Sequence, residues 1–309
     1  MAGASGDGDQ IFRYEEDDIV LKTNKDRLPV VSVLGEISHP GVRTPYRTGF
    51  DGISRVGAGT GGITYNLRIG DKALGWVGDH VEPGVSSKNK DEVANAGYNT
   101  LSCVGNVAYV VSGDAKGAKG HVTGTHGGIE HVLVDFEPDV LEKLVIGDKL
   151  QVRACGQGLE IDDCPGVKCM NVAPELLEKM NIRMVENGVL EVPVAAIVPA
   201  ELMGSGIGAA SAEKGDYDIT TQDGDALREH GLEDIRFGDI VAIRDRSSFY
   251  GRSYRKGAIE IGVVVHSDSK ISGHGPGVTT LLTANRGEIR PVLAKGANIA
   301  YYLGVRQPE

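Results

Sequence analysis

Aromatic residues are scarce, at 5% of 309 positions, and there are only four cysteines. Cys103, Cys155, Cys164 and Cys169 contain no Cys-x-x-Cys pair, so their spacing does not match a structural zinc site. No apolar run approaches the roughly eighteen residues of a membrane span. The N-terminal MAGASGDGDQ is polar and acidic, unlike a secretory leader. No long basic run is present, and the formal net charge of -11 argues against a nucleic-acid surface, which relies on clustered Lys and Arg. The expected setting is cytoplasmic and reducing, with mostly buried thiols and with neither nucleic acid nor membrane as partner.

What is abundant is glycine, 44 residues, about twice the usual share. With many Val and Ile, it points to short strands and tight turns rather than helical bundles. Hydrophobic residues are 40% and charged residues 24%, a globular composition. The length suits one large or two ordinary domains. The sequence predicts a mainly β protein with a few short helices, a β-rich α+β fold built as two barrel-like or sandwich-like domains. Its expected parts are a flexible tail over 1–20, an N-terminal β-rich domain over 21–161, a connecting segment with a short helix over 162–192, and a C-terminal β-rich domain over 193–309.

Strand patterns are read at 28–34, 63–69, 73–77, 129–136, 192–198 and 239–244. A short helix is read over 88–96, with Ser86 or Ser87 as its cap. Others are read near 138–144, 174–180 and 223–230. The glycine run at 57–62 is read as a hairpin turn with room to cradle an anion; it lacks the phosphate-loop pattern.

The richest stretch is 257–283, GAIEIGVVVHSDSKISGHGPGVTTLLT. Ile259, Ile261, Val263 and Val265 alternate onto one strand face, and His266 ends the other. Asp268 and His274 follow in a loop kept free of bulk by Gly273, Gly275 and Gly277. Two further loops set His beside carboxylate: Asp79-His80-x-Glu82, and His126 with His131 and Asp135. Divalent ions such as zinc take three or four such ligands, and strand ends can deliver them to one mouth. His80, His126, His131, His266 and His274 are therefore the candidate ligands. Glu82 or Asp268 is the candidate base, and the N–H groups of Gly275 and Gly277 are candidate oxyanion donors. Arg252 and Arg255, in a basic cluster with Arg244, Arg246 and Lys256, are candidates to capture a small anion. Asp135, Glu260 and the basic cluster also read as ordinary solvated or paired strand faces.

The strings GRSYRKGAIEIGVVVHSDSKISGHGPGVTTLLT, AKGHVTGTHGGIEHVLVDF and GDHVEPGVS resemble the prokaryotic domain-of-unknown-function family 4438, over most of residues 25–306. That resemblance implies a β-rich fold in several parts and brings no catalytic residues. The order GDYDI, then FGDIVAIRD, then a loop and strand, is faintly similar to acetamidase/formamidase proteins. That likeness implies metal-dependent hydrolysis of small amides, although their His with Gln-Gly-Asp-Gly-Glu string is missing. Three readings follow: a metal-dependent hydrolase of a small amide or related carbonyl compound, a non-catalytic binder of a small anionic metabolite, and a structural β protein. A homo-oligomer is expected in each.

Overall fold

The structure is a computed structural model describing residues 21–41, 45–57, 59–185 and 188–307. The expected tail over 1–20 lies outside the described residues. Among the described residues the chain is mainly β with five short α-helices.

Strands β1 (Val31–Ile37), β5 (Gly84–Lys88), β6 (Val107–Val110), β7 (Lys119–His126), β8 (His131–Asp135) and β9 (Lys149–Ala154) form one sheet. Their order is β1-β9-β6-β7-β8-β5, and pairing of Glu36 with Lys88 and Ile37 with Ser87 closes it into a barrel. Closure leaves no edge among these six strands. Strand β9 shows the period-two origin of the wall, with Leu150, Val152 and Ala154 buried and the alternate residues exposed. Two-residue β4 (Ile63–Thr64) extends the sheet from β5, and β2 (Tyr46–Thr48) and β3 (Ser54–Val56) form a separate hairpin. Helix α1 (Glu92–Leu101) packs on the barrel and buries Tyr98, whose hydroxyl bonds the Ser87 hydroxyl at 2.9 Å. A Cβ at Gly35 would stand 2.5 Å from that ring, so β1 carries glycine there. The α1 cap is Asp91, which accepts from the Ala94 N–H. Ser86 and Ser87, the expected caps, lie in β5 instead.

The second sheet has the order β10-β17-β16-β15-β13, with β14 also on β17. These are β10 (Val167–Cys169), β13 (Ala196–Val198), β14 (Tyr217–Asp218), β15 (Ile240–Ser247), β16 (Ser253–Val264) and β17 (Gly277–Ala284). Strands β11 (Arg183–Val185), β12 (Val189–Val194) and β18 (Ile289–Leu293) make a third sheet. Short helices α2 (Pro138–Leu141), α3 (Pro174–Leu177), α4 (Gly224–Glu229) and α5 (Ile299–Tyr302) close the loops. The alternation on β16 separates two cores: Ile261, Val263 and Val265 enter the largest, and Val264 enters another. Residues 162–192 are built into that largest core through Val167, Leu176 and Leu177, beside Val104 and Leu133 of the barrel half. One continuous interior therefore joins the two halves.

Only Ile63–Thr64 of the expected strands at 63–69 and 73–77 pairs as a strand. The rest is irregular yet buried at Leu67, Ile69 and Ala73. Its backbone is tied down from outside, by Gly70 N–H to Phe237 O, Ala73 N–H to Ile235 O, and Asp268 N–H to Ala73 O. Arg68 within it grips Asp135 through Nε (3.1 Å) and Nη2 (2.6 Å). Asp135, read from sequence as a solvated residue, is 3% exposed. Removing one partner of a buried pair strands the other charge, so Arg68→Met should cost about 3–5 kcal/mol. Urea unfolding measures this, and a cost below about 1 kcal/mol would contradict the pair's role.

Among the described residues, no helix is long and apolar enough to cross a membrane.

Candidate metal centre

The end of β7 meets the second sheet at close quarters. A Cβ at Gly124 would stand 2.1 Å from Val265 Cγ1, so only glycine allows this approach. Thr125 and Thr279 stitch the contact: the Thr125 N–H donates to Thr279 Oγ1, and that hydroxyl donates back to the Thr125 carbonyl. The junction sets His126, at the end of β7, against His266, just past β16, with ring centroids 4.3 Å apart. His80 comes from the irregular stretch before β5, 4.9 Å from His266 and 5.7 Å from His126. A ring bound to zinc through one nitrogen has its centroid about 3.2 Å from the ion. Three rings radiating from one region therefore stand at separations of this size.

Each of these histidines is held the same way. His126 Nδ1 faces Glu82 Oε1 at 2.5 Å, His80 Nδ1 faces Asp79 Oδ1 at 3.2 Å, and His266 Nδ1 faces the Ser267 carbonyl at 2.9 Å. Carboxylates only accept, so Nδ1 of His126 and of His80 carries a proton and Nε2 is the nitrogen left to ligate. His266 Nδ1 meets both the Ser267 carbonyl and the Gly277 N–H, which donates to it at 3.3 Å. Metal-bound histidines are oriented in this manner. His80 also sits at φ 54, the left-handed region, where a non-glycine residue is strained by about 1–3 kcal/mol.

The carboxylates of the centre come from β14 and the residue before it. Asp216 and Asp218 are two apart, so both side chains leave one strand face while Tyr217 leaves the other. Tyr217 is buried and donates to Glu260, which Ser248 and Thr280 also bond. Glu260, read from sequence as solvated, is 1% exposed. Asp216 Oδ1 accepts from the Gly127 N–H at 2.7 Å. Its Oδ2 lies 2.7 Å from His266 Nε2, yet neither atom has a hydrogen-bond partner and both residues are buried. Buried polar atoms without partners are rare. Among the described residues nothing else answers these two atoms, and a cation between them, with a small outward shift of each, would satisfy both. His126, Asp216 and His266 offer ligand atoms within 4.8 Å of one another, as do His80, Asp218 and His266.

Burial works against every charge here, and the neighbours overcome it. Burial raises the Glu82 carboxyl, but the charge and hydrogen bond of His126, with His131, hold it well below the usual range. Burial lowers His80, but Asp218 and Asp79 outweigh it and lift it to about 10. Asp216 and Asp218 are likewise raised by burial and pulled down on balance, Asp216 by the His266 charge and Asp218 by its bonds to His274 and His80.

The structure sorts the sequence candidates into three groups. His80, His126, His266 and His274 come together around Asp216 and Asp218. Glu82 and His131 lie behind them: Glu82 is fully buried and accepts from His126, His131, the Gly61 N–H and the Ser86 hydroxyl. The anion cradled by the glycine run is thus the chain's own Glu82. Asp268 and Arg255 stand apart. Asp268 is buried with Oδ2 3.6 Å from Lys270 Nζ, and Arg255 is exposed on β16. The Gly275 N–H points at Asp218 Oδ2 (3.4 Å), and Gly277 N is 3.3 Å from His266 Nδ1, so both meet side chains of the centre. A cavity of ≈ 470 Å³ opens onto His80, His126, Asp216, Asp218 and His274, with Arg252 and Lys214 on its wall. Arg252 and Arg246, both assigned to a basic surface cluster from sequence, are buried. Asp216 and Asp218 were not among the sequence candidates; their signal was the Asp-Tyr-Asp alternation in GDYDI.

Glu82→Gln keeps the shape but removes the charge behind His126. Loss of such an outer partner costs about 10–100-fold in metal affinity. Competition against a zinc-sensitive dye measures it, and unchanged affinity would sever Glu82 from the centre.

No curated protein matches the chain. The faint likeness to acetamidase/formamidase proteins is not shown by these comparisons. The crystal structure of TM1086 is similar to this chain, with 50% identity and a TM-score of 0.88 over 91% of this chain and 99% of that one. The family model for the N-terminal domain of unknown function DUF4438 matches residues 46–178 and its C-terminal counterpart matches 179–303, so the chain belongs to the DUF4438 family.

Proposed function

We propose that the protein is a metal-dependent hydrolase of a small, anionic amide or related carbonyl compound. The observation that carries this reading is the shared posture of His80, His126 and His266. Each sets Nδ1 against an oxygen of the chain. His80 Nε2 stands 3.4 Å from Asp218 Oδ2, His266 Nε2 stands 2.7 Å from Asp216 Oδ2, and His126 offers a ligand atom within 4.8 Å of those of Asp216 and His266. His126, His266 and Asp216 would hold the ion, an imidazole and carboxylate set that suits zinc and would leave a position for water. Such an ion polarises a carbonyl and brings the pKa of water toward neutrality. Glu82 fixes the tautomer and direction of His126. With its carboxylate already occupied by four donors, it positions rather than shuttles protons. Arg252, 6% exposed, lines the cavity together with Lys214. Two cationic side chains on the wall favour an anion, which is why the substrate is given an anionic end. The same feature serves a non-catalytic anion binder, and turnover separates the two.

The test uses chelator-stripped and zinc-reloaded protein on a panel of small N-acyl and amide carboxylates. Turnover should require reloading and fall by about 10³-fold in His266→Ala, the loss of several kcal/mol of charge stabilisation. Thermal shifts with panel compounds but no turnover would favour the binder. Equal turnover by stripped protein would overturn the metal reading.

A further inference from the structure

We infer that the centre holds a second divalent cation, bound by His80, His274 and Asp218, with Asp218 bridging the two ions. The inference rests on the metal reading above and deepens it. His80 Nε2 and His274 Nδ1 are 3.1 Å apart, His80 Nε2 and Asp218 Oδ2 are 3.4 Å apart, and His274 Nδ1 and Asp218 Oδ2 are 3.0 Å apart. Ligands about 2.1 Å from one ion stand about 3.0–3.4 Å from each other at octahedral or tetrahedral angles. All three edges of the triangle fall in that interval.

Protons alone do not satisfy the triangle. Asp218 only accepts, and each ring nitrogen carries at most one hydrogen. If both histidines donate to Asp218, two N–H groups face each other across the remaining 3.1 Å edge. If His80 Nε2 donates to His274 Nδ1, the lone pair that accepts also faces Asp218 Oδ2 at 3.0 Å, and if His80 Nε2 is bare its own lone pair faces that carboxylate at 3.4 Å. A cation at the centre of the triangle relieves every arrangement at once.

The outer contacts are already in place. Asp79 orients His80 and is itself held by the Ser269 hydroxyl and Arg47. Asp218 turns Oδ2 to His80 and His274 and Oδ1 toward His266 Nε2, at 3.7 Å. One carboxylate thus faces both ligand sets, as a bridge must when two ions stand about 3.5–4 Å apart. Each set is two histidines and one aspartate. His274, the most exposed member with 33% of its side chain accessible, stands at the cavity. The second ion therefore lies on the substrate side, where a paired centre grips both the attacking and the departing group of a hydrolysed substrate.

The test counts zinc per chain in stripped protein dialysed against zinc, for the wild type, His274→Ala and Asp216→Asn, with circular dichroism to check folding. It is paired with electron paramagnetic resonance of the manganese-loaded wild type. The expected results are two ions per wild-type chain, one in each variant, and an exchange-coupled manganese spectrum. One ion per wild-type chain with an uncoupled spectrum overturns the second ion, whichever variant removes it, and leaves the single-ion reading standing. No ion in the wild type overturns both. The wild-type count and spectrum decide the matter whether or not the variants fold.

Discussion

Gly277→Ala yields a folded protein that binds no ion at the His266–Asp216 position. A Cβ at 277 would stand 1.9 Å from Asp216 Oδ2 and 2.3 Å from His266 Nε2, the two unpartnered atoms of the centre. Both are side-chain ends, which can swing away and spare the backbone. Nor is Gly277 among the glycines at positive φ, so alanine fits its conformation. Displacing two ligands should weaken zinc by more than the about 10–100-fold that follows loss of an outer partner. Gly275→Ala supplies the contrast. Its Cβ would meet a backbone atom, the Ile219 carbonyl oxygen, at 1.8 Å. The strain then falls on the chain itself, and unfolding should come earlier by about 1–3 kcal/mol or more. Dye competition and thermal melts of both variants read the two effects. If Gly277→Ala bound zinc as the wild type does, the ion would not lie where His266 and Asp216 converge.

Metal removal should destabilise the protein strongly, because the centre ties the end of β7 to β14 and to the segment after β16. A ligand that binds only the folded state at a thousand times its Kd contributes about 4 kcal/mol. For a chain of this size that is about 6–12 °C in Tm per occupied site. Excess zinc should therefore raise the melting temperature of stripped protein by at least that much, and Gly277→Ala should lose the share of the rise that belongs to the His266–Asp216 position. An equal rise in both would assign the zinc to another site.

The fold class was legible because glycine abundance and period-two runs such as KLQVRA act locally. Barrel closure was not, since it depends on Glu36 and Ile37 finding Ser87 and Lys88 some fifty positions away. Residues 63–69 and 73–77 read as strands because their apolar residues alternate, yet beyond Thr64 the backbone hydrogen bonds of this stretch go to Phe237, Ile235 and other distant partners. The histidines of the centre stood out by their glycine setting, Gly127 and Gly128 beside His126 and Gly273, Gly275 and Gly277 around His274. Asp216 and Asp218 did not, because the Asp-Tyr-Asp alternation of a two-residue strand is too short to stand out from other acidic turns. Glu82 looked like a base from sequence. Its fully buried position, saturated by His126, His131, Gly61 and Ser86, is a tertiary fact with no local signature.

The central claim is that Nε2 of His126 and His266, with Asp216, surrounds a cation. Crystals of zinc-reloaded protein, measured on both sides of the zinc absorption edge, test it most directly. The account expects an anomalous peak about 2.0–2.2 Å from His266 Nε2 and Asp216 Oδ2. A reloaded crystal with no anomalous density among these side chains would contradict it.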